Sequence, residues 1–301
     1  MELVESDILL DKQDELLTGA PPHLPVRKMC VLLFAASQPS KGKRCFFDAG
    51  LSFEDVEVDC AENELVRSKV DKFDMQIYTD VRHPHLMAGR ALSQHKVAMP
   101  LMTTDMFLLW TLHLMHCQAA FGRVVWRQVF DPARMLLRVA HAARALNAEG
   151  IAHCDIRLSN IFVNISADGV VDEESVRLAD YDLATQHQTT VCAEGINPTV
   201  MFAPELVRKR PISAKSDVYM LGGVLMSLLV CELVEPDALD TVSLNSSPWT
   251  QESAVWGGYE TMYELMRFAK YCTSNDPEER PSLDEFCTTV EGLVAGFGRV
   301  Y

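Results

Sequence analysis

Hydrophobic and polar positions divide the chain near residue 100. Before it, short apolar runs, KMCVLLFAA (28–36) and RCFFDAGL (44–51), read as strands, with a Pro-rich stretch APPHLP (20–25) ahead of them. A charged segment, AENELVRSKVDKF (61–73), reads as one helix. Beyond residue 100 the period becomes helical. In DPARMLLRVAHAARALNAEG, Asp131 is placed to cap and Pro132 to open a helix. Its residues Met135, Leu136, Val139, Ala143 and Leu146 share one face, and Gly150 stops it. SDVYMLGGVLMSLLVCEL (216–233) is apolar nearly all round, as suits a helix central to a large lobe. The pattern predicts a small β-rich lobe with one helix over 1–100 and a large helical lobe over 101–301.

Charge and composition narrow the function classes. At 301 residues and 48% hydrophobic composition the chain can bury one large core or two modest ones. A net charge of -15 argues against a nucleic-acid surface, which needs clustered Lys and Arg. No apolar run approaches the roughly 18 residues of a membrane span, and residues 1–20 lack the basic start and apolar core of a secretory leader. Nine cysteines are scattered singly without the paired spacing of a zinc or redox site, and they leave the redox compartment open.

Candidate chemistry lies in GIAHCDIRLSN (150–160). Asp155 is followed five residues later by Asn160, and VRLADYDLA places Asp180 at the end of a strand-like run. Between them, two strand-like segments joined by a polar turn hold both sites side by side. MFAPEL (201–206), SDVYMLGG (216–223) and DPEERPSL (276–283) follow in order. Asn160 and Asp180 offer the hard oxygen donors that Mg²⁺ prefers, and Asp155 could orient a substrate hydroxyl. The same groups could equally persist as hydrogen-bonding anchors of the loop.

This ordered series resembles the large lobe of the protein kinase family. The catalytic-loop pattern stands here as His153-Cys154-Asp155-Ile156 ending at Asn160, the metal-binding D-F-G as Asp180-Tyr181-Asp182, and A-P-E as Ala203-Pro204-Glu205. Asp217 matches the aspartate of the central helix, and Arg280 the arginine that pairs with the A-P-E glutamate. The resemblance implies an α+β, protein kinase-like two-lobed fold, with structural roles for His153, Glu205, Asp217 and Arg280. In the hinge-like segment KVAMPLMTTDMFLL (96–109) it implies that Met99 and Leu101 border a nucleotide site.

The small lobe departs from the family pattern. No G-x-G-x-x-G precedes residue 100, so no backbone loop without side chains is available to cradle phosphates. Aligned on KRCFFDAGL, the position of the phosphate-pairing lysine falls on Asp48, with Glu62 or Glu64 as the helix partner. A carboxylate at that position repels a triphosphate. Asp182 adds a charge where the family has glycine, and Cys154 replaces an arginine that usually receives an activation-loop phosphate, so Thr189, Thr190 and Thr199 read as ordinary loop residues.

The degenerate small lobe is similar to that of the rhoptry kinase group of apicomplexan parasites, in particular its subgroup without a Gly-rich loop. That resemblance implies secretion into a parasitophorous vacuole or cyst wall. Together these readings lead to the expectation of a pseudokinase, a module that binds a protein partner, with nucleotide binding weak or absent and no ATP or Mg²⁺ cofactor expected. The alternative is an active Ser/Thr kinase using Mg-ATP through Asp155, Asn160 and Asp180, as some members of that subgroup are active.

Overall fold

The computed structural model describes residues 56–59, 62–107, 109, 132–166, 170–190, 202–230 and 259–295. The strand-like runs at 28–36 and 44–51, and Asp48 with them, lie outside the described residues.

The first layer is an antiparallel sheet of β1 (Val56–Asp59), β2 (Glu64–Ser68), β3 (Arg90–Ser93) and β4 (Lys96–Pro100), in the order β1-β2-β4-β3. Helix α1 (Lys72–Asp80) follows β2. The single helix expected over 61–73 is therefore a strand, a turn and a helix start. Leu65 and Arg67 lie on one face of β2, opposite Met99 and Val97 of β4, a two-residue alternation that the flanking charges hide. Lys69 leaves the strand with φ 61°, and the Asp71 carboxylate accepts the Asp74 N–H at 2.8 Å, capping α1.

After β4 the chain enters the second layer. β5 (Thr104–Asp105) joins β7 (Ile161–Ile165) and β8 (Val171–Leu178) in a three-stranded sheet, and β6 (Ile151–Ala152) pairs with β9 (Thr185–Gln186). Helix α2 (Pro132–Ala148) buries Met135, Leu136, Val139, Ala143 and Leu146 completely. It ends where Gly150 takes φ 73° and its N–H returns to Asn147 O at 2.9 Å. Asp131, its expected cap, lies outside the described residues.

The short helix α3 (Pro204–Val207) leads to α4 (Ala214–Val230), which is buried from Val218 through Leu229 in keeping with its all-round apolar sequence. Helix α5 (Tyr259–Cys272) crosses α4 at Gly222, where a Cβ would stand 2.6 Å from that of Cys272. Helix α6 (Leu283–Ala295) packs on α2.

Glu205 and Arg280 join α3 to the segment before α6. Arg280 donates from Nη1 to Oε1 at 2.6 Å and from Nη2 to Oε2 at 2.8 Å, and Ser216 Oγ donates to Oε1 at 2.7 Å. The guanidinium also lies 4.9 Å from the Tyr219 ring centre and is 1% exposed. Burial opposes ionisation of Glu205, but the donors from Arg280 and Ser216 hold its carboxyl below the ordinary range. Removing one partner strands a buried charge. Arg280→Leu is expected to lower unfolding stability by about 3 to 5 kcal/mol, read from the denaturant midpoint.

Candidate functional site

Two tight turns assemble the site. Cys154 and Asp180 both adopt left-handed backbone, φ 64° and 69°, which non-glycine residues enter at some cost. Asp217, fully buried at the start of α4, offsets that cost for the first turn: its carboxylate accepts the N–H of His153 and of Cys154, each at 2.9 Å. Burial pushes the Asp217 carboxyl up to about 7, although the two N–H donors favour its charged form. His153 is fully buried, and its Nε2 reaches Ala179 O at 3.2 Å, which ties the first turn to the second. Burial lowers the imidazole to about 4, so it is neutral at physiological pH and structural in role.

Asp155 and Asn160 form a closed pair. Asn160 Nδ2 donates to the Asp155 carbonyl at 2.9 Å and to its Oδ2 at 2.7 Å, and Arg157 Nη2 stands 3.2 Å from the same oxygen. Ala179 N–H donates to Asn160 O at 3.0 Å, which sets Asp180 beside the loop. Burial raises the Asp155 carboxyl to about 7, opposed by Arg157 and Asn160.

The strand cation opposite this pair is Arg67. Its Nη1 donates to Asp180 Oδ1 at 3.1 Å and to the Tyr78 hydroxyl at 3.3 Å, while Nη2 donates to Asp182 Oδ2. Burial works against its charge, yet the oxygens of Tyr78, Asp180 and Asp182 keep it fully cationic. Asp74 lies in the same cluster, where burial and the nearby Asp71 and Asp182 raise its carboxyl. Burial and Asp182 likewise raise Asp180, against the pull of Arg67 and Arg157.

The helix group expected from the sequence is corrected, and a strand group is added. Asp48 lies outside the described residues, and the strand that runs into α1 carries Arg67, not a lysine or a carboxylate, toward Asp180. Glu64 is on β2, outside any helix, and pairs with Arg90 at 2.9 Å; Glu62 is in the preceding turn. The carboxylate that α1 brings to the cluster is Asp74. Arg67, Asp74 and Tyr78 went unread in the sequence, although Asp71-x-x-Asp74 is a capping pattern that would have started the helix at Lys72 and left 64–68 as a strand.

Tyr181, between Asp180 and Asp182, is fully buried, with its hydroxyl on Met87 O at 3.0 Å and Leu178 O at 3.2 Å. Its ring centre lies 4.6 Å from that of Tyr78 and 5.5 Å from that of His153. A buried aromatic column thus joins α1 to the turn that carries Asp155. Met99 and Leu101 are buried at the end of β4, and Leu101 N–H donates to Asn63 O at 3.0 Å.

Metal chemistry fits the donor set in part. Asn160 and Asp180 carry hard oxygens beside one another, and two such donors completed by water and phosphate suffice for Mg²⁺. Against this, the charge opposite Asp180 is already supplied by Arg67. No group of three or more His, Cys, Asp or Glu side chains set to hold a metal occurs among the described residues.

The raised carboxyl of Asp155 has a stability consequence. Its folded value exceeds the ordinary 3.8, so the folded chain binds a proton that the unfolded chain lacks between about pH 7 and 4. Ionising Asp155 therefore costs stability above that window. Asp155→Asn is expected to stabilise the fold by about 1 to 3 kcal/mol at pH 8, with the gain vanishing near pH 4, in urea titrations at the two pH values.

Known proteins place this geometry. A profile described as "Protein kinase domain" matches residues 74–290. The chain is 29% identical over 154 residues to the serine/threonine-protein kinase Nek9 of Xenopus laevis, covering 50% of this chain and 15% of that protein. It is 26% identical over 165 residues to the serine/threonine/tyrosine-protein kinase HT1 of Arabidopsis thaliana, covering 52% of this chain and 39% of that protein. It is 24% identical over 182 residues to a probable inactive receptor kinase of Arabidopsis thaliana, covering 54% of this chain and 26% of that protein. The chain thus spans well under half the length of these relatives. With the profile covering most of the chain and Asp155, Asn160 and Asp180 brought to one site, the chain belongs to the protein kinase domain family.

Proposed function

We propose that this chain is a pseudokinase, a kinase-shaped module that binds a protein partner and takes nucleotide weakly or not at all. The observation that carries this reading is the Arg67 clasp: one guanidinium engages both Asp180 and Asp182. A strand cation free to meet phosphates would need an unoccupied donor face, and the carboxylate at position 182 takes one of its two terminal nitrogens. Asp182 is outside the left-handed backbone region, so a side chain is carried there without strain. Four carboxyl groups (Asp74, Asp155, Asp180, Asp182) face two guanidinium groups (Arg67, Arg157), a balance that disfavours a triphosphate. No G-x-G-x-x-G pattern precedes residue 100, so the sequence offers no loop of that kind to cradle phosphates. The secreted, vacuolar or cyst-wall setting belongs to the same proposal and is supported by the rhoptry-group resemblance alone.

A second reading, an active Ser/Thr kinase, is favoured by one observation: Asp155 and Asn160 retain the pairing that a catalytic loop needs, with Asp180 set beside them by the Ala179 N–H on Asn160 O. The residues would then divide the work as follows. Asn160 and Asp180 would hold Mg²⁺, which neutralises phosphate charge when bound; Asp155 would orient the acceptor hydroxyl and Arg67 would face the phosphates.

Melting curves with and without Mg-ATP separate the two. A nucleotide at 100 times its dissociation constant adds about 2.7 kcal/mol, a shift of a few degrees at this size. The parent chain is expected to show no shift, and Asp182→Gly, which frees one nitrogen of Arg67, to show a Mg-dependent one. A shift in the parent that Asp180→Ala removes, with phosphate transfer abolished by Asp155→Ala, would establish the active kinase instead.

A further inference from the structure

The segment between α1 and β3 is the other seam between the layers, and it is rich in histidine. Residues 82–87 lie along β8 as a short parallel extension: Leu178 N–H donates to His85 O at 2.8 Å, and Met87 N–H to Leu178 O at 2.8 Å. His85 Nδ1 reaches Val176 O at 3.1 Å, so this nitrogen carries the proton and donates. His83 does the opposite. Its Nδ1 faces the His85 N–H at 3.2 Å and must be unprotonated to accept it. The two rings meet edge to face, 5.6 Å between centres.

The charged surroundings of His83 are one-sided. His141 and Arg144 face it from α2 and Arg177 from β8, with His85 on its own segment. Arg82, beside it in sequence, is engaged with Tyr78 O at 3.3 Å. The nearby carboxylates already have cations: Glu291 of α6 pairs with His141 at 3.4 Å, Asp284 of α6 with Arg144 at 3.3 Å, and Glu173 and Glu174 of β8 with Arg138. A proton on His83 would therefore meet two guanidinium groups and two further imidazoles, and would delete the acceptor that shapes the turn.

We propose that His83 is an acid-sensitive latch, whose protonation releases residues 82–87 from β8 and so loosens α1, with Asp74 and Tyr78, from the site below. Burial first, then the neighbouring basic groups, lowers the His83 imidazole to about 4 from an ordinary 6.5. The direction follows from linkage. The latched state binds fewer protons than the released one between about pH 6.5 and 4, so latching is complete above 6.5 and is lost as pH falls through that window. His85, which already donates to Val176, and His141, paired with Glu291, are lowered too and add to the same trend.

Hydrogen exchange on the whole chain tests this. Corrected for the intrinsic pH dependence of exchange, opening of residues 84–88 is expected to rise a few-fold between pH 7.5 and 5.5. About tenfold is the limit for His83 alone, before solvent screening of its partly exposed ring. Amides of α2 around Val139 to Leu146 should not follow. His83→Asn keeps an acceptor near the Nδ1 position without a titrating group, and it should abolish most of the excess. If that variant does not fold, His141→Gln, which removes one neighbouring titrating group, should reduce it. No excess in the parent chain, or an excess retained in full by His83→Asn, would overturn the latch.

Discussion

One guanidinium joins the two layers where the chemistry would occur. Arg67 stands on the second strand of the small sheet, with its charged end on Asp180 and Asp182 and on the Tyr78 hydroxyl of α1. Because its side chain is only 6% exposed, the position of the sheet, the helix and the Asp180 turn are fixed together. Losing either side would leave charge in a poorly solvated place. The aromatic column of Tyr78, Tyr181 and His153 runs beside it and carries the same linkage through apolar contact.

Beneath that clasp the large layer is organised to hold unfavourable backbone. Cys154 and Asp180 sit in left-handed conformations, and the groups that sustain them are buried polar anchors: Asp217 on two N–H donors, His153 on Ala179. The chain thus keeps the scaffold of a phosphoryl-transfer site in good order. What differs is its charge balance, where Asp182 binds to the cation that phosphates would need. A preserved scaffold and an altered balance are compatible, since the anchors serve stability whether or not a nucleotide binds.

How much of this could be read in advance differs between the layers for physical reasons. In the large layer the informative residues are fixed by short spacings: Asp155 and Asn160 are five apart, Gly150 closes its own helix, and the all-round apolar α4 has one way to be buried. In the small layer the informative contact joins Arg67 to Asp180, 113 residues away, and no local pattern announces it. A five-residue strand that carries Glu64 and Arg67 and is followed by lysines looks helical by composition, which is why the sequence pattern places Glu64 on a helix. Only the Asp71 cap on Asp74 marks the true boundary.

The claim on which this account turns is that Asp182 binds Arg67. A double-mutant cycle on Arg67→Met and Asp182→Asn, followed by urea unfolding at pH 7.5, measures it directly. The account predicts a favourable coupling of about 1 to 2 kcal/mol between the two positions. Additive effects, with no coupling beyond error, would contradict it and would leave Nη2 of Arg67 available to a nucleotide.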